Sequence, residues 1–266
     1  LAVIDTHCHL TFPEFAGKTD EVLARAAAHG VTGCVTISTT TQDCLDALAI
    51  ARRHANVWCS AGVHPLYSEE APHEWQNIRL VASDAKCVAW GELGLDNHYT
   101  EPVASLQRAI LDEQLAFIDS CRRDSVAPID KPVVIHCREA FDELIPVLRA
   151  TGWAGDRFVF HCFTGTAADA RKVLDLGAFV SFTGVATYRN APEVREAAAL
   201  VPSDRIMCET DAPFLSPEPH RSSRPCEPWM SSVTAKRLAD VRGVSWETFH
   251  AHINANTRRF FGIAAE

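Results

Sequence analysis

Val3-Ile4-Asp5-Thr6-His7-Cys8-His9-Leu10 reads as a short, largely apolar strand that ends in two imidazoles. Side chains alternate between faces along a β-strand, so the spacing places His7 and His9 on one face, with Asp5 at the same parity. Two imidazoles side by side on a rigid strand make half of a metal site. Alone, such a pair is a weak signal, because isolated histidines are commonly core or surface residues. Its weight comes from the rest of the chain, where single His, Glu and Asp residues recur, each at the end of another short apolar run.

Working outward, the first strand covers about residues 2–7, and further β-branched or apolar runs at 33–38, 57–63, 87–92, 133–136, 157–161, 178–182 and 205–209 read as strands 2 to 8. Between them, helical spacing of apolar residues predicts helices at 19–29, 42–54, 74–83, about 105–123, 139–149, 166–176 and 192–200. Gly30 and Gly177 supply stops, Pro192 opens its helix, and Pro146 is expected to kink the helix that contains it. A Pro-rich loop at 213–228 precedes helices at about 229–241, 245–252 and 254–261. Strands alternating with helices call for parallel pairing through right-handed crossovers. Eight such units close a (β/α)8 barrel, whereas six or fewer would leave an open doubly wound sheet. No Gly-x-Gly-x-x-Gly follows the first strand, so a dinucleotide-binding sheet has no anchor. The expected architecture is therefore α/β, one domain over residues 1–266, with extra C-terminal helices.

Composition agrees with that size class, since α/β barrels run to ~250 residues as one domain. No apolar run reaches the ~18 residues a membrane helix needs, and no signal-peptide pattern opens the chain. The expectation is a cytoplasmic protein, with nuclear or organellar placement left open. The 10 cysteines include no Cys-x-x-Cys pair and read as buried, reduced, small apolar residues. Cys8, Cys137 and Cys162, each next to a candidate ligand, are expected to face away from it, toward the helices. The formal charge of −9 argues against a broad basic surface that coats nucleic acid. It is compatible with a nuclease that holds one strand end in a cleft and offsets phosphate charge with metal ions.

In a barrel the C-terminal ends of all strands face one mouth, where active sites sit. His7, His9, His64, Glu92, His136, His161 and Asp211 all fall at such ends. Random polar residues would scatter to both ends of the strands. A partition follows from ligand chemistry: His7, His9 and Asp211 around one divalent ion, His136 and His161 around a second, and Glu92 bridging with its two oxygens. Mixed imidazole and carboxylate donors suit Zn2+, Mn2+, Co2+ or Fe2+ and are less natural for Mg2+. Two ions ~3.5–4 Å apart activate a shared water and clamp both oxygens of an in-line displacement. Asp211 is also placed to accept the water's proton.

The motifs that carry these residues are Asp5-Thr6-His7-Cys8-His9-Leu10, Gly62-Val63-His64-Pro65 and Gly91-Glu92-Leu93-Gly94-Leu95-Asp96. Pro132-Val133-Val134-Ile135-His136-Cys137-Arg138, His161-Cys162-Phe163-Thr164-Gly165 and Glu209-Thr210-Asp211-Ala212-Pro213 complete them. Together they resemble, in order and context, the TatD family of metal-dependent deoxyribonucleases. The resemblance implies a TIM barrel with His7, His9, Glu92, His136, His161 and Asp211 as ligands of two divalent ions (Zn2+, Mg2+ or Mn2+). It also implies His64 and Arg138 beside the substrate phosphate, and 3′→5′ exonuclease activity on single-stranded DNA. Two departures stand out. The loop Arg221–Pro228 carries Ser222 and Cys226 where the family pattern has Gly and Asn, which bears on substrate preference. After Asp96 only Tyr99 remains of two usual aromatics, and both Tyr99 and Phe163 read as packing residues rather than base platforms.

The resulting expectation is a phosphodiesterase with Asp211 and Glu92 as catalytic residues and His64 and Arg138 as substrate-binding residues. Single-stranded DNA or DNA ends are the expected partner, with RNA left open, and no membrane or obligate protein partner is expected. The alternative is hydrolysis of a small-molecule amide, lactone or phosphoester. Related barrels with that chemistry often carry a lysine where strand 4 here ends in Glu92. A non-enzymatic metal-bound scaffold is the third reading, and no lost ligand points to it.

Overall fold

The computed structural model describes residues 2–264, so the expected domain limits of 1–266 run slightly past them. Strands β1 (Val3–Cys8), β2 (Val31–Thr36), β3 (Val57–Ala61), β4 (Cys87–Asp96), β5 (Val133–Arg138), β6 (Phe158–Phe160), β7 (Phe179–Phe182) and β8 (Ile206–Cys208) pair in chain order. Every neighbouring pair is parallel. Helices α1 (Thr19–Ala28), α2 (Asp43–Arg53), α3 (Trp75–Ala82), α4 (Ala104–Arg122), α5 (Phe141–Ala150), α6 (Ala167–Leu176) and α7 (Pro192–Leu200) make the crossovers. Two more, α8 (Ser231–Arg242) and α9 (Trp246–Phe261), come after the last strand. The fold is a TIM barrel. None of the described helices is long and apolar enough to cross a membrane.

The ring closes at its mouth. A parallel bridge joins Cys8 to Ala212, with His9 N–H donating to Ala212 O at 2.7 Å and Asp211 N–H donating to His7 O at 2.9 Å. The bonds that shut the barrel thus also set Asp211 against the two histidines of β1.

Inside the barrel, Ile4, Val35, Ile37, Val134, Val159, Phe179 and Met207 pack together, and Phe260 and Phe261 of α9 join them from below. A larger apolar shell fills the space between strands and helices and takes in Cys8, Cys34, Cys59, Cys87 and Cys137. All ten cysteines are free and nine are buried, as their composition suggested.

Three expectations need correction. Helices expected at 245–252 and 254–261 are the single α9, because Phe249, Ile253, Asn256, Thr257 and Phe260 continue one buried stripe with no Gly or Pro between them. Strand β4 does not stop at Glu92 but runs to Asp96, with Leu93 and Leu95 buried. Gly94 permits this: at φ 154° a Cβ there would lie 1.8 Å from His136 O, so only glycine lets β4 and β5 approach. Simple alternation fails on β1, where the register shifts between Asp5 and Cys8. Asp5 leaves the face of His7 and accepts hydrogen bonds from Thr210 N–H and Oγ1 at 2.9 and 2.6 Å. The helix expected at 139–149 is present as α5, with Pro146 inside it.

Candidate metal centre at the barrel mouth

Glu92 lies at the centre of the mouth, and its two oxygens face two different donor sets. Oε1 is 3.4 Å from His7 Nε2 and 3.5 Å from His9 Nε2. Asp211 Oδ1 completes that side, 3.6 Å from His7 Nε2 and 3.3 Å from His9 Nε2. On the other side, Glu92 Oε2 is 2.7 Å from His161 Nε2 and 3.4 Å from His136 Nδ1, which are 3.2 Å from each other. Hence the structure brings together all six residues expected to hold metal.

These distances fit a shared cation. Ligands ~2.1 Å from a tetrahedral ion stand about 3.4 Å from one another, an edge of the tetrahedron. The separations of 3.3–3.6 Å around His7, His9, Glu92 and Asp211 match that edge and are long for hydrogen bonds. Both ring nitrogens of His7, Nδ1 of His161 and Oε2 of Glu92 are buried without a hydrogen-bond partner. Each such orphan costs roughly 1–3 kcal/mol unless something satisfies it. Nitrogen and oxygen lone pairs converging on one point call for a Lewis acid.

Charge states agree with that use. Burial alone would raise the Glu92 pKa, yet the surrounding His161, His64 and His7 hold it well below the usual carboxylate range. Burial likewise opposes ionisation of Asp211, and the hydrogen bond from His9 with the charges of His7 and His161 outweighs it. Burial lowers His7, reinforced by His161. For His9, His136 and His161, burial is outweighed by neighbouring carboxylates, and the net shift is upward. A cation bound there would replace those protons.

The ring orientations are set from behind. His9 Nδ1 donates to Ile37 O at 3.0 Å, which leaves Nε2 with its lone pair toward the centre. His136 Nε2 donates to Asp96 Oδ2 at 2.9 Å, which leaves Nδ1 with its lone pair toward the cluster. Glu209 lies 3.4 Å from His161 Nδ1 and is itself fixed by Cys162 N–H and Ser181 Oγ, both at 2.6 Å. Sequence reading assigned no role to Asp96 or Glu209. Glu209 was accessible by parity, two residues before Asp211. Asp96 was hidden by the expected end of β4.

His64 stands close to the second donor set, its Nε2 3.1 Å from His136 Nδ1 and 3.7 Å from Glu92 Oε2. Its Nδ1 accepts from Leu66 N–H at 3.0 Å. Burial pushes its pKa down to about 3, so the ring is neutral and carries its proton on Nε2. His64 therefore presents a donor to the centre rather than a lone pair.

Arg138 lies on the wall of the mouth rather than in the histidine cluster, its guanidinium 5.3 Å from the centre of the Tyr99 ring. Tyr99 is not a packing residue, since it is 51% exposed, because the segment after β4 projects it over the cavity. Phe163 is buried at 1% exposure, as expected. Cys162 departs from expectation: at φ 44° it turns to line the cavity beside His161 instead of facing the helices. Cys226 is buried, its Sγ against Met230 Sδ at 3.6 Å, so this departure from the family pattern is absorbed by packing beneath the loop. The cavity above the cluster measures about 850 Å3.

Comparison with known proteins gives a consistent picture. The family model described as TatD related DNase matches residues 4–262. The metal-dependent hydrolase YcfH of Escherichia coli K12 is 36% identical over 266 residues, covering 99% of this chain and 97% of its own. The 3′-5′ ssDNA/RNA exonuclease TatD of Enterobacter lignolyticus is also 36% identical, covering 98% and 100%. Among solved structures, YJJV, a TatD homologue from E. coli K12, superposes with a TM-score of 0.87 at 28% identity over 98% of both chains.

Proposed function

The chain belongs to the family of TatD-related DNases and is a metal-dependent hydrolase, and on that premise we propose that it cleaves phosphodiester bonds of nucleic acid as a 3′→5′ exonuclease on single-stranded DNA. The observation that carries this reading is the division of Glu92 between two donor sets, Oε1 toward His7 and His9 and Oε2 toward His136 and His161. It supports two divalent ions, with Zn2+, Mg2+ and Mn2+ as candidates. His7, His9 and Asp211 would hold one, His136 and His161 the other, and Glu92 would bridge. When bound, such ions lower the pKa of water and offset negative charge developing on a phosphoryl group.

The chain's own residues supply the rest. Asp211, ionised at the rim of the first donor set, accepts the proton as water oxygen bonds to phosphorus. The bond from phosphorus to the 3′ oxygen of the preceding sugar breaks, that oxygen takes a proton from solvent and stays on the shortened strand as a 3′ hydroxyl, and a 5′-mononucleotide leaves. His64 donates its Nε2 proton as a hydrogen bond to a phosphate oxygen. Arg138, on the wall, holds phosphate through the guanidinium fork. The name of the Enterobacter relative supports single-stranded nucleic acid as substrate. Residues 1–266 would act as one catalytic unit.

A 5′-labelled single-stranded oligonucleotide, incubated with Mg2+, Mn2+ or Zn2+ in turn, tests the reading. A metal-dependent ladder shortening from the 3′ end, absent in Asp211→Asn, is the expected result. Intact DNA alongside cleavage of a generic phosphodiester, or of an amide or lactone, would transfer the site to a small substrate.

A further inference from the structure

Among the described residues only two Phe, Tyr or Trp side chains are largely exposed, Tyr99 at 51% and Phe214 at 45%, and both line the mouth cavity. Aromatic rings commonly line ligand cavities, and two left open on the wall ask what covers them. Tyr99 comes after β4, whereas Phe214 comes after β8, so in a ring of eight strands they sit on opposite sides of the mouth.

Each wall is built. Phe214 N–H donates to Asp211 O at 2.9 Å, so one tight turn fixes the ring relative to the carboxylate of the first donor set. Phe12 meets Phe214 edge to face at 5.9 Å and stacks on His9 at 4.7 Å. On the far wall, Tyr99 is anchored through its backbone N–H to Asp96 Oδ1 at 3.4 Å, and Asp96 also holds His136. Arg138 lies over the Tyr99 ring. Between the walls lie the donor sets and the Nε2 proton of His64.

We propose that the mouth recognises a dinucleotide step. One base stacks on the Phe12–Phe214 wall, the other on Tyr99, and the scissile phosphate lies between them against Arg138 and His64. This rests on the nuclease reading and specifies its substrate: two bases splayed about one phosphate, read by stacking and without preference for base identity. Stacking suits every base because each has a π face. It also lets a protein of net charge −9 hold nucleic acid without a basic track.

The test uses the full chain with Mn2+ and 5′-labelled oligothymidylate in three forms: unmodified, with the 3′-terminal nucleotide abasic, and with the penultimate nucleotide abasic. Methyl p-nitrophenyl phosphate serves as a diester without bases. Each abasic site is expected to lower kcat/KM of the wild-type protein about tenfold or more. Phe214→Ala is expected to erase sensitivity to one position and Tyr99→Ala sensitivity to the other. Phe214→Trp should keep it and Phe214→Leu lose it, which separates stacking from apolar contact. DNA cut equally in all three forms, or both alanine variants discriminating like wild type, would overturn the slot while leaving the nuclease reading intact. Hydrolysis of the small diester with no cleavage of any oligonucleotide would overturn both.

Discussion

The two ends of the barrel hold their polar groups in opposite ways. At the end away from the mouth, cationic and amide side chains cap backbone carbonyls. Lys86 Nζ donates to the carbonyls of His54, Ala55 and Val57 at 2.6–3.0 Å. Arg242 donates to Ala198 O and Val201 O, both at 2.6 Å, and Asn256 to Ser203 O and Ile206 O, both at 2.8 Å. At the mouth, four buried side-chain atoms of His7, Glu92 and His161 have no partner, and these three residues can each bring one donor atom within 4.8 Å of the others. Other orphaned atoms, such as Trp90 Nε1 and Thr11 Oγ1, belong to no such donor group. Clustered dissatisfaction marks where the protein expects something from outside, and capped carbonyls mark where it only needs to stay folded.

The comparison breaks first at Asp211. Asp211→Asn keeps the side chain's shape but removes the charge and, on the proposed mechanism, the base. Hydrolysis is expected to fall by about 10^2–10^4-fold, the range of general-base loss. The melting temperature should change little, because the barrel closes through the backbone N–H of Asp211 and not its carboxylate. Near-wild-type turnover would remove Asp211 from the chemistry. A large drop in melting temperature would show that the mouth carries stability as well.

Asp96→Ala comes next. It frees His136 Nε2 without touching the cluster. Loss of such a supporting partner commonly costs 10–100-fold in metal affinity or activity. Titration calorimetry with Zn2+ or Mn2+ reads the effect directly. Unchanged affinity would mean that packing alone orients His136.

At the other end the readout reverses. Asn256→Ala strands two carbonyls at the base of the last strand, and about 1–3 kcal/mol of stability should be lost. Urea unfolding measures this, and kcat/KM for the native state should be unaltered. An activity loss comparable to the stability loss would mean that the two ends are coupled.

The same contrast explains what could be read from sequence. Mouth residues were legible because they recur: one imidazole or carboxylate ending an apolar run says little, but seven at the same end of the strands are not a random scatter. Asp5 misled because its carboxylate is held by Thr210, over 200 residues away, and the register shift in β1 leaves no mark in the local sequence. Asp96 was lost with the last four residues of β4, which depend on the absence of a side chain at Gly94. Phe214 carried no signal, since an apolar residue in a loop is conspicuous only once its exposure is known. The capping network was equally silent, because Lys86 and Asn256 look like ordinary helix and turn residues until the carbonyls they meet are in place.

The smallest effect is expected at the rim of the capped end, where Asp84 accepts from Lys86 N–H at 2.8 Å and pairs with Arg52. The Lys86 N–H bond lowers the Asp84 pKa below its ordinary value; partial burial opposes this, and Arg52 adds to the lowering. A carboxylate with a depressed folded-state pKa contributes stability that is complete above its unfolded pKa, about 3.8 to 3.9. That contribution is lost as pH falls through the folded value. Arg52→Ala removes only the exposed half of this arrangement, so about 0.2–1 kcal/mol should disappear at neutral pH, less at high salt. Asp84→Asn should in addition flatten the fall in stability below pH 4, because the group that titrates there is gone. Urea midpoints at pH 6 and pH 3.5, each with and without added salt, separate the two variants. An acid limb unchanged by Asp84→Asn would place the pH dependence on other carboxylates held below their ordinary values, Asp124 and Asp169 outside the mouth and Glu92, Asp211 and Glu209 within it among them.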